Sequence, residues 1–190
     1  MAAMTGPIRL RALVEADLPA LHRWYQTPAL WEHLVGSFEP RGEAEAIAYM
    51  RRWLAPGLYE LRLAIERSED GALLGLVALS PLDREAGEAE LHIFLGDEDQ
   101  RGQGYGRAAT AALLEHAFDE LALWKVRLRV LQTNAAALRV YAALGFEPHP
   151  EVVETVRKGD ADVAVVTMSV TDAVFRERQG GYAPRRSATR

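Results

Sequence analysis

The glycine cluster Gly102-Gln103-Gly104-Tyr105-Gly106 stands between a strand pattern and a helix pattern, and that junction limits the folds open to this chain. Before it, Glu88 to Leu95 alternates. Glu88, Glu90, His92 and Phe94 share one face; Ala89, Leu91, Ile93 and Leu95 share the other. After it, Arg107 to Leu121 is amphipathic at helical spacing. A strand end, glycines and a helix start together make an anion site. Glycine lets backbone approach closely, and the first helical N–H groups point outward with the dipole behind them. A diphosphate is the natural guest.

The flanking sequence supplies the rest of an α+β domain. Ile8 to Ala12 alternates as a half-buried strand, and Asp17-Leu-Pro19 reads as an N-cap opening a helix to Tyr25. A second helix spans Glu43 to Leu54. Tyr59 to Glu66 and Ala72 to Leu79 flank Asp70-Gly71 as a β-hairpin. Lys125 to Leu131 (K-V-R-L-R-V-L) is the cleanest alternating strand. Asn134 caps a helix running to Ala143, with Gly145 in the C′ place. Val152 to Arg157 and Val163 to Val170 form a closing hairpin. The expected order is β-α-α-β-β-β-α-β-α-β-β. A central, mostly antiparallel, twisted sheet flanked by helices fits it. Residues 1–175 make one domain, and the Arg-, Gly- and Ser-rich residues 176–190 read as a disordered basic tail.

Composition narrows the function classes. With no cysteine, disulfide frameworks, thiolate metal sites and cysteine nucleophiles are excluded, and no metal site is expected. The formal charge of −5 combines +4 on residues 176–190 with −9 on residues 1–175. An acidic body argues against nucleic-acid binding and suits a cationic partner. No apolar run approaches a membrane span and no secretory signal precedes Arg11, so a cytoplasmic protein is the default.

On residues alone the glycine loop has three readings. It is a plain turn, a dinucleotide site, since Gly104-x-Gly106-x-x-Ala109 matches G-x-G-x-x-A, or a coenzyme A site. The dinucleotide fold wants its glycines against the strand end and an acid about 20 residues on. Here five residues separate Gly96 from Gly102, and the next strand ends in Leu131-Gln-Thr133. No glycine is followed by Lys and Ser or Thr, so a Walker loop fails.

Arg101-x-x-Gly104-x-Gly106 resembles the pyrophosphate-binding signature of the GNAT superfamily of acetyl-CoA-dependent N-acetyltransferases. Asn134-x-x-Ala137-x-x-x-Tyr141-x-x-x-Gly145-Phe146 resembles its second signature, at the usual distance from the first. The resemblance covers Ile8 to about Val170 and is strongest to the branch with ribosomal-protein N-terminal and polyamine acetyltransferases. It implies acetyl-CoA as cosubstrate, held by Arg101, Gly102, Gln103, Gly104, Tyr105 and Gly106 at the pyrophosphate. Phe94, Leu95 and Asn134 are implied along the pantetheine arm. One departure is Asp97-Glu98-Asp99, three acids beside the anion site.

Acetyl transfer to an amine needs a neutral amine, a polarised thioester and a proton for the departing thiolate. On residues alone Tyr141 reads first as an aromatic that packs its helix on the sheet; the resemblance makes it the general acid instead. Glu90 is the best-placed base, with Glu88, His92 and bulk water as rivals. Trp24, Tyr25, Trp31, His33 and Trp53 lie in the region that walls the acceptor pocket in such enzymes. The acceptor is a small amine or a protein N-terminus, and a homodimer is open. The alternative class is a non-catalytic acyl-CoA-binding module with the same fold.

Overall fold

The computed structural model describes residues 3–55 and 57–180. Its strands are β1 (Ala3–Thr5), β2 (Ile8–Ala12), β3 (Leu61–Arg67), β4 (Leu73–Asp83), β5 (Glu88–Leu95), β6 (Lys125–Leu131), β7 (Glu147–Pro148), β8 (Glu154–Lys158) and β9 (Ala161–Thr171). The α-helices are α1 (Leu18–Tyr25), α2 (Pro28–Trp31), α3 (Glu43–Arg51), α4 (Tyr105–Asp119), α5 (Ala135–Ala143) and α6 (Asp172–Arg178). One sheet runs β1-β2-β3-β4-β5-β6-β9-β7, with β8 also paired to β9. Every ladder is antiparallel except β5–β6. The expected α+β class and twisted, mostly antiparallel sheet hold.

The sheet divides two apolar cores. On one face, Val126, Leu128 and Val130 of β6 and Ala89 and Leu91 of β5 pack with Ala109, Leu113 and Phe118 of α4, Tyr141 of α5 and Phe175 of α6. On the other, Leu18, Leu21 and Trp24 of α1, Met50 of α3 and Trp53 pack on Ala64, Leu76, Ala78 and Phe94 of β3 to β5. Fully burying a large apolar side chain is worth roughly 1.5–3 kcal/mol, so each face is firmly held.

Several expectations need correction. α4 opens at Tyr105 rather than Arg107 and closes at Asp119, because Gly104 takes a left-handed φ of 84° as its N-cap and turns the chain into the helix earlier. Asp17 sits at the N-cap position of α1, yet its carboxylate makes no capping bond there; it accepts from the Val14 N–H and from Arg11. Past residue 175 the chain is helical to Arg178, and Arg176 pairs with Asp119 and Asp172. Residues 181–190 of the expected tail lie outside the described residues.

Candidate functional site

β5 and β6 diverge. Their ladder spans only Glu88↔Lys125 to Leu91↔Leu128, although β5 continues to Leu95 and β6 to Leu131. Past that point no ladder joins the facing backbones, and an extended, amide-bearing ligand can complete the hydrogen bonds as an inserted strand would. Phe94 and Leu95 lie on the diverging arm. β4 approaches that arm so closely that a Cβ on Gly75 would overlap the Phe94 carbonyl oxygen.

The glycine loop leads from the end of β5 to α4. Gly102 and Gly104 have φ of 74° and 84°, and a Cβ on either would meet nothing within 4 Å. These glycines therefore serve backbone conformation and leave open space in front of the loop. No side chain caps α4, so its first N–H groups face that space. A cleft of about 330 Å³ adjoins it, lined by Gly104, Arg107, Ala108 and Leu144. Arg101 lies 3.8 Å from Glu98, and Gln103 donates to the Asp99 carbonyl.

Asp97 does not oppose an anion here. Its carboxylate accepts from the Trp24 indole at 2.9 Å and from Arg23 at 3.2 Å, turning it into α1. The Trp24 ring lies so close to Gly96 that any Cβ there would enter it. Trp24 is thus a strut under the loop rather than a pocket wall. Tyr25, Trp31 and Trp53, by contrast, line a cleft of about 240 Å³ with Tyr49 and Arg62.

Asn134 has two partners. Its Oδ1 accepts from the Ala137 N–H, capping α5, and its Nδ2 donates to the His33 carbonyl at 3.3 Å. From the end of β8, Lys158 donates to the carbonyls of Trp31, at 3.0 Å, and Gly36. Two side chains from distant elements therefore fasten the strap after α2. On α5, Tyr141 is buried against Phe146, ring centroids 5.6 Å apart. Burial pushes its phenol up to about 12, so it holds its proton at neutral pH.

Glu90 is buried and ion-paired. Its Oε2 lies 3.3 Å from Arg127 Nε; its Oε1 is 4.0 Å from Arg129 and 3.8 Å from His92 Nε2. Of its rivals, Glu88 lies 3.7 Å from Lys125. His92 Nε2 is 2.6 Å from the Ser80 carbonyl, which can only accept, so that nitrogen carries the proton and only Nδ1 could act as a base. Among the described residues no group of three or more His, Asp or Glu is placed to hold a metal.

A diverging parallel strand pair and an uncapped helix behind a glycine loop can hold an extended, amide-bearing ligand that ends in an anion. The profile of the acetyltransferase (GNAT) domain matches residues 8–147. The chain belongs to the GNAT acetyltransferase family. The spermidine N(1)-acetyltransferase of Vibrio cholerae is 26% identical over 151 residues, 80% of this chain and 85% of that protein. That of Escherichia coli K12 is 32% identical over 84 residues, 44% of this chain and 45% of that one. A crystal structure of spermidine N-acetyltransferase from Vibrio cholerae with CoA and spermine superposes with a TM-score of 0.80. It covers 89% of this chain and 98% of that one at 22% identity. This acetyltransferase transfers acetyl groups from acetyl-CoA, its cosubstrate, to an amine nitrogen.

The site residues read from sequence fall into two groups. Phe94 and Leu95 lie on the arm that leads into the glycine loop of Gly102, Gly104 and Gly106. Tyr141 lies on α5, and Asn134 caps its start. Reading the sequence missed Arg127 and Arg129 as partners of Glu90, and Lys158 as a tether. For the arginines a signal existed: the alternation of Lys125 to Leu131 puts them on the face opposite Val126 and Leu128.

Proposed function

We propose that this acetyltransferase passes the acetyl group directly from acetyl-CoA to a small primary amine entering from the α1–α3 side of the sheet. The divergence of β5 from β6 carries this reading. It opens a slot for the pantetheine arm, with the N-terminus of α4 and the loop residues Arg101 to Gly106 behind it for the pyrophosphate. Phe94 and Leu95 would pair with the arm through backbone, and Asn134 would reach it from the start of α5.

The amine lone pair attacks the thioester carbon, the C–S bond breaks, and the electron pair leaves on sulfur. Tyr141 gives its proton to that thiolate. The burial that keeps the phenol protonated also raises the proton affinity of a thiolate formed beside it, so the two are matched. The amine's proton passes through water to Glu90, and exchange with solvent then removes it from Glu90 and returns one to Tyr141. The products are an amide and free CoA.

The names of the relatives in Vibrio and Escherichia favour a small amine, such as a polyamine, over a protein N-terminus. The cysteine-free composition agrees with a cytoplasmic reaction. An amine panel with acetyl-CoA, followed by free thiol release, tests the reading. Thiol release that depends on a small amine supports it. CoA binding without transfer to any amine would instead select a non-catalytic acyl-CoA-binding protein.

A further inference from the structure

Val126 and Leu128 of β6 and Met168 and Val170 of β9 point into the core under α4 to α6, so Arg127 and Ser169 face the other side of the sheet. They lie in one row. Glu90 pairs with Arg127, Arg127 with Ser169, and Ser169 with Glu147 of β7. Two residues past Glu147, alternation returns His149 to this same face.

The His149 ring joins two side chains. Its Nε2 is 2.7 Å from Ser169 Oγ, and its Nδ1 is 3.1 Å from Glu151 Oε1. Hydrogen bonds from its own backbone N–H and from His149 hold the Glu151 carboxyl below the ordinary range, so it is ionised at neutral pH. A carboxylate only accepts. In the neutral ring the proton therefore sits on Nδ1, and the Nε2 lone pair receives the Ser169 O–H. Hydroxyl, imidazole and carboxylate follow one another, each within hydrogen-bond reach of the next.

Backbone holds this arrangement. The Val152 N–H closes a turn on the His149 carbonyl at 3.1 Å, which sets Glu151 beside the ring. The His149 N–H bonds the Thr167 carbonyl at 2.8 Å, so the main chain already ties the end of β7 to β9 without help from the ring. Ser169 is half-buried and the His149 side chain is 34% exposed, so neither is sealed from solvent.

We infer that Ser169 is a nucleophile activated by His149 and Glu151, and that the protein hydrolyses activated esters of small acids without coenzyme A. The seryl oxygen attacks the acyl carbon as its proton passes to His149 Nε2. Arg127, opposite Ser169 in the ladder, supplies positive charge for the oxyanion. The bond to the leaving oxygen breaks, the electron pair goes to that oxygen, and Nε2 returns the proton there. Water then attacks the acyl-serine, giving its proton to the same nitrogen; the seryl oxygen leaves and takes that proton back. The products are an acid and an alcohol. Tyr141 and the glycine loop take no part, so this activity is separate from acetyl transfer to an amine.

Hydrolysis of 4-nitrophenyl acetate without CoA tests the inference. Acid-quenched protein should carry an acetyl group on the peptide containing Ser169. Ser169→Ala and His149→Gln should each lower the catalysed rate on the order of 10²-fold. The double variant should lose no more than either alone, because the pair acts as a unit. Glu151→Gln should lose less, its carboxylate being 69% exposed and screened by water. Diisopropyl fluorophosphate should label Ser169 in the unaltered protein, a readout that needs no variant to fold. Full-rate hydrolysis by a folded Ser169→Ala protein overturns the inference, as does acetyl or phosphoryl label found only on other residues. A rise in Tm with CoA bears on the acetyltransferase reading alone, so the two fail separately.

Discussion

The Trp24 indole donates to Asp97 at 2.9 Å while its ring fills the space where a Cβ of Gly96 would stand. A helix on one side of the sheet thereby sets the exit of β5 and the start of the glycine loop. The acid nearest the strand is consumed by this contact and faces away from the helix N-terminus that an anion would approach.

Gly96 and Gly104 should consequently respond differently to substitution. Gly96→Ala forces Trp24 aside in a packed core, where overpacking costs about 1–3 kcal/mol, and a clear fall in Tm is expected without ligand. Gly104→Val meets no neighbour, so the cost is confined to a left-handed backbone, about 1–2 kcal/mol. Its main loss should be in CoA affinity, because the branched side chain narrows the approach to the N-terminus of α4. Calorimetric titration with CoA, beside thermal melts of both variants, checks the contrast. A Gly104→Val protein binding CoA normally would make the loop a mere connection.

Tyr141→Phe removes a hydroxyl and almost no volume, and packing against Phe146 should survive. Loss of general-acid help predicts a fall in kcat on the order of 10²-fold or more, tempered where water substitutes, with little change in CoA affinity. Full-speed turnover of a good acceptor would reduce Tyr141 to a packing residue. Glu90→Gln is the companion measurement, expected to slow transfer without weakening CoA binding.

The alkaline stability of the fold should also depend on Tyr141. Burial pushes this phenol and that of Tyr25 from 10 up to about 12. The folded state then holds protons that the unfolded chain releases above pH 10. Stability is unaffected below that point and falls as pH rises from about 10 to 12, by up to about 1.4 kcal/mol per pH unit for each tyrosine. Urea unfolding across this range should show the slope, and Tyr141→Phe should reduce it.

Lys158→Met keeps the aliphatic stem and deletes the ammonium that holds the carbonyls of Trp31 and Gly36. The strap after α2 then depends on Asn134 alone among these tethers. The expected result is a higher KM for the amine, with CoA affinity nearly intact. Equal loss for both substrates would show that the tether supports the whole fold.

Much of this architecture was legible in the residues. β5 and β6 coincide residue for residue with the alternating runs Glu88 to Leu95 and Lys125 to Leu131, because a strand with two different faces must alternate. Asn134 caps α5 as its residue type suggests, and Gly104 and Gly145 take the left-handed conformations their positions demand. The GNAT signatures fall on these same elements. β1, β7 and α2, of two to four residues each, are too short to show a period, and α6 shows its place only through Phe175 and Arg176 packing against α4.

What the sequence determined by itself is therefore the set of longer elements, the loop for an anion and the residue types for acyl transfer, all carried by spacing within one stretch of chain. Tertiary structure alone decided where β5 leaves β6, since the alternation runs unbroken through Leu95 and Leu131 while the pairing stops at Leu91 and Leu128. It also decided that Asp97 turns toward Trp24, that Lys158 ties down a strap more than 120 residues earlier, and that Glu90 is met by two arginines. These are contacts between separate elements. A charge's partner depends on strand register and on which helices cover the sheet, and neither is encoded in the few residues around that charge.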